Sequence, residues 1–270
     1  MRHFGDLQHV FDAAPAAFVA IEGVTPRLAE RLQHAHERLA EAQSFERELA
    51  GRDIHAVTWF ERSYPELLME LHDPPPLLYF RGRLPDPTRR TVAVVGSREV
   101  SAGGIEVTSQ AVKTFVKEGV QIVSSLCGGA DVAAHLAAKG NGGESYAVLD
   151  RGLDHVEPQT GIPVALDITQ NGGIVFEYPP DQPPTDITWK AANRIIVGLS
   201  QAVVATATSA RSERTVDVLK SCHEIGKLAF ILVDPVEAPD DPRVIEQAVE
   251  YGAIPLDGHT QVADIIRSLV

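Results

Sequence analysis

The sequence predicts an α/β protein in which a doubly wound, mainly parallel sheet follows a small N-terminal helical domain. Residues 91–95, Thr-Val-Ala-Val-Val, form a β-branched and apolar run of the kind found in strands buried on both faces. After this run, apolar segments of strand length alternate with helical segments as far as residue 235. This alternation predicts parallel strands with helices on both faces of the sheet, a Rossmann-like arrangement.

The predicted helical domain covers residues 1–84, and the sheet domain covers residues 85–270. Thr25 and Pro26 are suited to begin a helix, because Thr accepts a capping hydrogen bond and Pro fits the first turn. Residues 21–32 resemble a helix-hairpin-helix motif, which can contact a DNA phosphate or serve only for packing. The rest of this domain is predicted to contain a charged amphipathic helix over 38–49, lead-in strands over 55–59 and 77–81, a helix start at Tyr64 and a proline stop at 74–76.

A glycine-rich turn follows the first strand of the predicted sheet domain. Residues 96–104, Gly-Ser-Arg-Glu-Val-Ser-Ala-Gly-Gly, lead directly into a segment with helical spacing of apolar residues. Backbone N–H groups of such a turn, the helix dipole and the Arg98 guanidinium together favour a phosphate. A doubly wound sheet also turns its corners in this way, and the dinucleotide motif G-x-G-x-x-G is absent. Both interpretations are open.

Composition limits the classes of function. The 270 residues carry a net charge of −13, and none of the segments 1–90, 91–234 and 235–270 is basic. This balance argues against strong non-specific DNA binding, although a local cluster of cations in a cleft can still bind phosphates. No apolar stretch has the length of a membrane span or the position of a signal peptide, so we expect a cytoplasmic protein. Cys127 and Cys222 are too isolated to indicate a disulfide or a zinc site.

A series of motifs between about residues 50 and 269 resembles the DprA (Smf) family of DNA-processing proteins. The series comprises Tyr-Pro-x-x-Leu at 64–68, Asp-Pro-Pro at 73–75, Val-Gly-Ser-Arg at 95–98 with Ser101 and Gly104, part of a glycine-rich segment at Ser124, Gly129, Asp131, Ala134 and His135, Val-Leu-Asp-Arg-Gly-Leu-Asp at 148–154, Glu-Tyr-Pro-Pro at 177–180 and Asn-Arg-Ile-Ile-Val-Gly-Leu-Ser at 193–200. Several motifs in one order are far more specific than a single glycine turn.

The chain also departs from the family pattern. Ser125, Cys127 and Gly128 stand where the family usually has Gly, Ala and Arg, and Trp-Lys-Ala-Ala at 189–192 replaces Phe-Pro-x-Arg. Residues 205–215 replace a family segment that contains Glu-Ala and Ser-Gly-Ser/Thr. Because the sequence ends after Arg-Ser-Leu-Val, we expect it to lack the C-terminal winged-helix domain that many members carry.

The resemblance implies a protein that binds single-stranded DNA, pairs with itself through the sheet domain and hands the strand to a RecA-type recombinase during recombination or transformation. It implies no enzymatic activity, no cofactor and no metal. The residues expected to contact DNA or its phosphates are Gly96, Ser97, Arg98, Ser101, Gly104, Ser124, Ser125, Gly128, Gly129, Trp189, Lys190, Asn193 and Arg194, with Asp131, His135 and Glu177 in support. Arg98, Lys190 and Arg194 are expected at one edge of the sheet, in contact with successive phosphates.

Several of these residues have a structural alternative. Arg98 and Arg194 either bind phosphates or pair with Asp131, Asp150 or Glu177. Trp189 either stacks on a base or packs in the core. His135 is compatible with a hydrogen-bonded core histidine, Asp131 with a first-turn carboxylate favoured by the helix dipole, and Cys127 with a buried small residue.

Two other functions are compatible with the sequence. One is a nucleotide-binding or nucleotide-hydrolysing protein of the lysine-decarboxylase-like group, whose Pro-Gly-Gly-x-Gly-Thr-x-x-Glu loop this chain lacks. The other is a DprA homologue that acts only as a protein-interaction module. DNA binding separates the first hypothesis from both.

Overall fold

The structure is a computed structural model that describes residues 7–156, 161–208, 213–233, 242–257 and 261–269. The chain forms two compact units, Met1–Asp53 and Ile54–Val270. The described part of the first unit contains the helices α1 (Leu7–Asp12), α2 (Pro15–Val19), α3 (Pro26–Gln33) and α4 (Leu39–Gly51), with a 3-10 turn over His34–Arg38.

The α2–α3 hairpin of the first unit begins its second helix where the sequence predicts. The Thr25 hydroxyl accepts a hydrogen bond from the Leu28 N–H at 3.2 Å, and Pro26 is the first residue of α3. Gly23 lies between the two helices with a φ of 83°, a conformation that favours glycine. The helix start is confirmed, and DNA contact by this hairpin stays a prediction.

The second unit is built on a sheet. The described residues form nine strands, β1 (His55–Thr58), β2 (Leu77–Gly82), β3 (Thr91–Gly96), β4 (Gln121–Ser125), β5 (Ser145–Val148), β6 (Gly172–Phe176), β7 (Ala202–Thr206), β8 (Leu228–Val233) and β9 (Ile254–Asp257), in the spatial order β1-β2-β6-β5-β4-β3-β7-β8-β9. The pairs β1–β2 and β2–β6 are antiparallel, and the other neighbours are parallel. A mainly parallel α/β sheet confirms the predicted fold class.

Helices cover both faces of this sheet. They are α5 (Ala102–Lys117), α6 (Gly129–Gly140), α7 (Gly161–Gln170), α8 (Asp186–Gly198), α9 (Glu213–Ile225), α10 (Pro242–Glu250) and α11 (Val262–Ser268). In β3, Val92 and Val94 join a core with α5, α6 and α11, whereas Ala93 and Val95 join a core with α8, α9 and α10. The alternation follows from the two-residue period of a strand, and it explains why the predicted strand is apolar at every position.

The division between the two units lies at Asp53/Ile54, whereas the sequence placed it after residue 84. The reason is backbone pairing: β1 pairs with β2 with His55 opposite Phe80, and β2 pairs with β6 with Tyr79 opposite Phe176. The lead-in strands therefore extend the main sheet. The helix predicted from Tyr64 is only a 3-10 turn over Glu66–Glu70.

The strand order reverses beside β3. Successive strands β4, β5 and β6 extend the sheet from one side of β3, and β7, β8 and β9 extend it from the other. The loops that leave the carboxyl ends of β3 and β7 therefore diverge, and a crevice forms at such a point in open α/β sheets. The loop after β7 is described as far as Thr208.

Gly96, at the end of β3, occupies a place where no side chain fits. A Cβ atom there would lie 2.1 Å from the Thr206 carbonyl oxygen and 2.5 Å from the Ala130 Cβ. We expect the Gly96→Ala variant to lose about 1–3 kcal/mol of unfolding free energy, because β7 or α6 must shift to admit the methyl group. Urea denaturation measures the loss.

Gly140→Ala is the matched control. Gly140 is the last residue of α6, and nothing lies within 4 Å of a Cβ at this position. The helix propensity of Ala should leave this variant unchanged or more stable by up to about 1 kcal/mol. Equal stability of the two variants would contradict the packing described for Gly96.

Candidate functional site

A cleft opens at the carboxyl ends of β3, β4 and β5, against α8 and α9. It contains about 570 Å³ of empty space, open solvent included, of which the enclosed cavity is about 50 Å³. Val148, Ile196 and Val218 supply apolar wall, and polar side chains reach in from the strand ends and from both helices. The position agrees with the point at which the strand order reverses.

Two glycine turns interlock at the floor of this cleft. The Ala130 N–H donates to the Ser97 carbonyl at 3.0 Å, and the Ser97 N–H donates to the Ala207 carbonyl at 3.3 Å. Gly129 has a φ of 53°, and a Cβ there would lie 2.1 Å from the Ser97 carbonyl oxygen. The turn after β3 can approach the start of α6 so closely only because residue 129 is glycine.

Asp131 joins the ends of β3 and β4. Its carboxylate accepts a hydrogen bond from the Gly96 N–H at 3.2 Å and another, very short, from the Ser125 hydroxyl. Burial raises the pKa of Asp131 to about 6, against the effect of these hydrogen bonds, which lower it. The carboxylate therefore holds the two turns together.

His135 lies one helical turn further along α6 and is 1% exposed. Its Nε2 pairs with the Ser125 carbonyl at 2.9 Å, and its Nδ1 has no hydrogen-bond partner in the described part of the chain. Burial lowers the pKa of His135 to about 4, so the imidazole is neutral at pH 7. This is the core histidine that the sequence analysis left as the alternative.

Several residues predicted to contact phosphate make internal contacts. The Ser124 hydroxyl is fully buried and donates to the Val94 carbonyl at 2.6 Å. The Ser125 hydroxyl donates to the Asp131 carboxylate and accepts from the Cys127 N–H at 3.2 Å. The Ser101 hydroxyl caps α5 by accepting from the Gly104 N–H at 3.0 Å. Ser101, Gly104, Ser124 and Ser125 therefore shape the turns, and direct phosphate contact by the three hydroxyls stays a prediction.

Two arginines pair with one carboxylate beside the cleft, and a third lines the same space. Asp150, 5% exposed, accepts from Arg151 Nε at 2.6 Å and from Arg214 Nη1 at 3.2 Å. The Arg214 guanidinium also lies 5.1 Å from the centre of the Trp189 ring and contacts the Cys127 sulfur at 3.1 Å. Arg98 is exposed and lines both this cleft and the adjoining space around Asp150 and Arg151.

The sequence analysis did not assign Arg151 or Arg214 to the site. Arg151 directly follows the carboxyl end of β5, a position that the sheet topology marks for inspection. Arg214 lies in the segment that departs from the family pattern, so no motif identified it. Its place at the start of α9 becomes evident only from the fold.

Backbone N–H groups add to these cations. Within the described residues, the N–H groups of Gly128 and Gly129 make no hydrogen bond, and they precede or begin the 12-residue helix α6. Gly128 has a φ of 103°, and the Arg98 side chain passes beside it. A phosphate at this point would meet two N–H donors, the positive end of the helix dipole and a guanidinium.

Arg194 forms the carboxylate pair that the sequence left open as the alternative to phosphate binding. Its guanidinium forms a bidentate pair with Glu177, at 2.6 and 2.7 Å, and its Nε lies 3.2 Å from an Asp73 carboxylate oxygen. It also donates to the Ala191 carbonyl at 2.9 Å. With its donors engaged and 18% of the side chain exposed, Arg194 ties α8 to two loops, and phosphate binding by this residue stays a prediction.

Helix α8 presents two adjoining faces, and Asn193 borders the grooves on both. Trp189, Ala192, Asn193 and Ile196 recur at helical spacing and line the cleft. Lys190 and Arg194 face a neighbouring groove with Asp73 and Asp217. The expected row of Arg98, Lys190 and Arg194 is therefore divided between two surfaces, and Arg214 takes the place beside Arg98.

Two further classes of site are not found among the described residues. No group of three or more His, Cys, Asp or Glu side chains is placed to hold a metal ion there. In the same part of the chain, no helix has the length and apolar character needed to cross a membrane.

The chain is similar in sequence to known proteins. Residues 55–267 match the model of a family described as DNA recombination-mediator protein A. Protein Smf from Synechocystis sp. is 31% identical over 249 residues, which are 91% of this chain and 61% of Smf. The chain thus spans less than two thirds of the length of that relative.

Solved structures share the fold. DNA processing protein A from Streptococcus pneumoniae superposes with a TM-score of 0.74 at 25% identity, over 95% of this chain and 86% of that chain. DNA processing protein A from Helicobacter pylori, described for its single-stranded DNA binding mode, superposes with a TM-score of 0.67 at 22% identity, over 80% of this chain and 97% of that chain. Both likenesses include the sheet that carries the cleft.

The buried Asp131 carboxyl should make stability depend on pH. Its pKa is about 6 in the folded protein against an ordinary value of 3.8, so the folded state binds more protons between these values. The contribution of Asp131 therefore favours folding at low pH and is lost as the pH rises from about 4 to 7. We expect the stability difference, wild type minus Asp131→Asn, to fall by about 2–3 kcal/mol over this range in urea denaturation.

The comparison with the variant is needed because His135 acts in the opposite direction. Its lowered pKa makes stability fall as the pH decreases from about 6.5 to 4. This effect is common to wild type and Asp131→Asn and cancels in the difference. A pH-independent difference would mean that Asp131 is not perturbed by burial.

Loss of the Arg194–Glu177 ion pair should lower the free energy of unfolding without a matching change at the cleft. Removing one partner of a buried pair costs about 3–5 kcal/mol, and since these side chains keep 18% and 16% exposure, we expect about 2–3 kcal/mol for Arg194→Ala. Glu177→Ala should cost a similar amount, and the double variant less than the sum. Arg267→Ala, from the exposed pair with Asp264, should cost under about 1 kcal/mol. Additive losses in the double variant would contradict the pairing.

Proposed function

We propose that this chain, which belongs to the DNA recombination-mediator protein A family, binds single-stranded DNA at the cleft and acts as a recombination mediator. The observation that carries the proposal is that Arg98, Arg151 and Arg214 line one space at the sheet edge and that Arg98 passes beside Gly128 at the start of α6. The description of the Helicobacter pylori relative supports the choice of ligand.

The chemistry of the cleft suits a strand of phosphodiesters. Guanidinium groups bind phosphate oxygens through paired N–H donors, and the turn N–H groups and the helix dipole add directional attraction. Asp150 offsets part of this positive charge but also fixes Arg151 and Arg214 in place, so less side-chain entropy is lost on binding. Local attraction of this kind operates although the whole chain carries a net charge of −13.

The aromatic side chain favours a single strand over a duplex. Trp189 borders the cleft and is partly exposed. An indole ring at this place can stack on a base only if the base is free of its neighbours, as in a single strand. Lys190, exposed on the adjoining groove, extends the positive surface beyond the cleft.

We also propose that the chain acts as a mediator without chemistry of its own, pairs with itself and passes the strand to a RecA-type recombinase. The family description supports the mediator role. Burial raises the pKa of the Cys127 thiol, and Asp131 and Asp150 raise it further, so the thiolate that a nucleophile requires is scarce at pH 7. Cytoplasmic location is part of the same proposal.

The test is a fluorescence anisotropy titration with labelled oligothymidylate at several salt concentrations. Arg98→Ala and Arg214→Ala should each weaken binding by about 1–2 kcal/mol, roughly tenfold, because each removes a charged phosphate donor. Each should also reduce the slope of log affinity against log salt by about one. A recombinase-loading assay with the same variants gives a second readout, in which loading should decrease in parallel.

Arg267→Ala is the matched control, since it removes the same charge from the exposed helix α11. The adjacent Ile266 carbonyl accepts from Arg90, at the amino end of β3, so this position lies at the opposite edge of the sheet. Its affinity should equal that of the wild type. Absence of oligothymidylate binding at low salt, or equal losses in all three variants, would refute the proposed site.

A further inference from the structure

A cavity lies between helices α6 and α7, beside the amino end of β5. Its enclosed volume is about 160 Å³, and none of its lining residues also lines the cleft at the carboxyl ends of the strands. Because β5 begins at Ser145, which lines this cavity, the cavity lies toward the opposite edge of the sheet. An engineered apolar cavity of about 150 Å³ takes up benzene, so this volume suits a single six-membered ring.

One buried polar atom in the wall of this cavity lacks a partner. His135, 1% exposed, lines the cavity, and its Nδ1 makes no hydrogen bond in the described part of the chain. Its Nε2 lies 2.9 Å from the Ser125 carbonyl oxygen, which can only accept, so Nε2 carries the proton. The imidazole is neutral at pH 7, and Nδ1 is therefore a lone pair that accepts a hydrogen bond. A buried acceptor without a donor is costly, which indicates that a ligand with a donor completes it.

The remaining wall combines an apolar lining with a polar opening. Leu136, Val164 and Ile168 supply the apolar lining. Lys139 of α6 and Asp167 of α7 line the same cavity, pair at 2.6 Å and keep 51% and 35% of their side chains exposed. An exposed ion pair of this kind is weak and opens at little cost. A small molecule can therefore enter between the two helices and reach the buried acceptor.

We propose that this cavity binds a phenol-like molecule, with one six-membered ring and one hydroxyl that donates to His135 Nδ1. The ring then lies against Leu136, Val164 and Ile168. The Ser145 hydroxyl, which can donate or accept, lines the same cavity and can meet a second polar substituent. The proposal goes beyond the proposed function, because it requires neither DNA nor the residues of the cleft.

The experiment titrates phenol and benzene into the full chain by isothermal titration calorimetry. Benzene has the ring without the donor, so the ratio of the two affinities reports the hydrogen bond. His135→Gln keeps an amide N–H for the Ser125 carbonyl and removes the Nδ1 acceptor. The wild type should bind phenol, and the phenol-to-benzene affinity ratio should fall about tenfold in this variant, because the hydroxyl is then buried without its partner. His223→Gln, at an exposed histidine of α9, is the matched control and should keep the wild-type ratio.

Nuclear magnetic resonance locates the ligand in the wild type. In protein labelled with nitrogen-15 in its histidines, the unprotonated Nδ1 of His135 should shift when phenol is added, because phenol donates a hydrogen bond to this atom. Benzene should leave the signal nearly unchanged. The spectrum of His135→Gln, which lacks the signal, identifies it among those of the other histidines.

A second variant fills the cavity and leaves the acceptor in place. Val164 is 8% exposed and lines the cavity, so the ring of Val164→Phe should occupy the space of the ligand. Affinity for both phenol and benzene should fall about tenfold or more, while the melting temperature equals or exceeds that of the wild type, because contacts missing around a void are restored. Val249→Phe, at a 47% exposed position of α10, is the control and should bind both molecules as the wild type does.

Three results would overturn the proposal. Absence of phenol binding by the wild type would mean that the cavity holds only water. An unchanged affinity ratio in His135→Gln with an unmoved Nδ1 signal, or undiminished phenol binding by Val164→Phe, would place the ring elsewhere. If His135→Gln does not fold, the wild-type Nδ1 signal and Val164→Phe decide the matter. Each result is separate from oligothymidylate binding, which tests the proposed function.

Discussion

The site depends on a buried carboxylate. Asp131 accepts hydrogen bonds from the end of β3, through the Gly96 N–H, and from the end of β4, through Ser125. Without it, the two glycine turns would be joined by the backbone hydrogen bond from the Ala130 N–H to the Ser97 carbonyl but by no side chain between the ends of β3 and β4. Burial makes ionisation of this group unfavourable, and the hydrogen bonds of the turns offset that cost. The geometry of the cleft floor follows from this balance.

The cations of the cleft are positioned by the same means. Asp150 is almost fully buried and holds both Arg151 and Arg214, so the acidic residues of the chain do not simply oppose an anionic ligand. They orient the guanidinium groups that would meet it. Net charge therefore describes solubility and long-range attraction, whereas the local arrangement decides whether phosphates bind. A chain with a net charge of −13 can present a cationic cleft for this reason.

The sequence predicts the sheet well because its signals are local. The apolar run at 91–95 and the alternation that follows indicate buried parallel strands, and the need for glycine at positions 96 and 129 follows from the turns. The pairing of β2 with β6, which brings β1 into the sheet through β2, depends on contacts about a hundred residues apart, so the sequence placed the domain boundary too late.

The roles of single arginines are less predictable because they too depend on contacts between residues that are distant in the sequence. Arg98 follows a strand and can be assigned to the cleft from topology, whereas the bidentate pairing of Arg194 with Glu177 depends on the phase of α8. A helix that carries Trp189 on one face and Arg194 on another links the two surfaces. During evolutionary drift, positions 177 and 194 should therefore change together, since either partner left alone would be a largely buried charge without its counter-ion, while the aromatic wall of the cleft keeps its place.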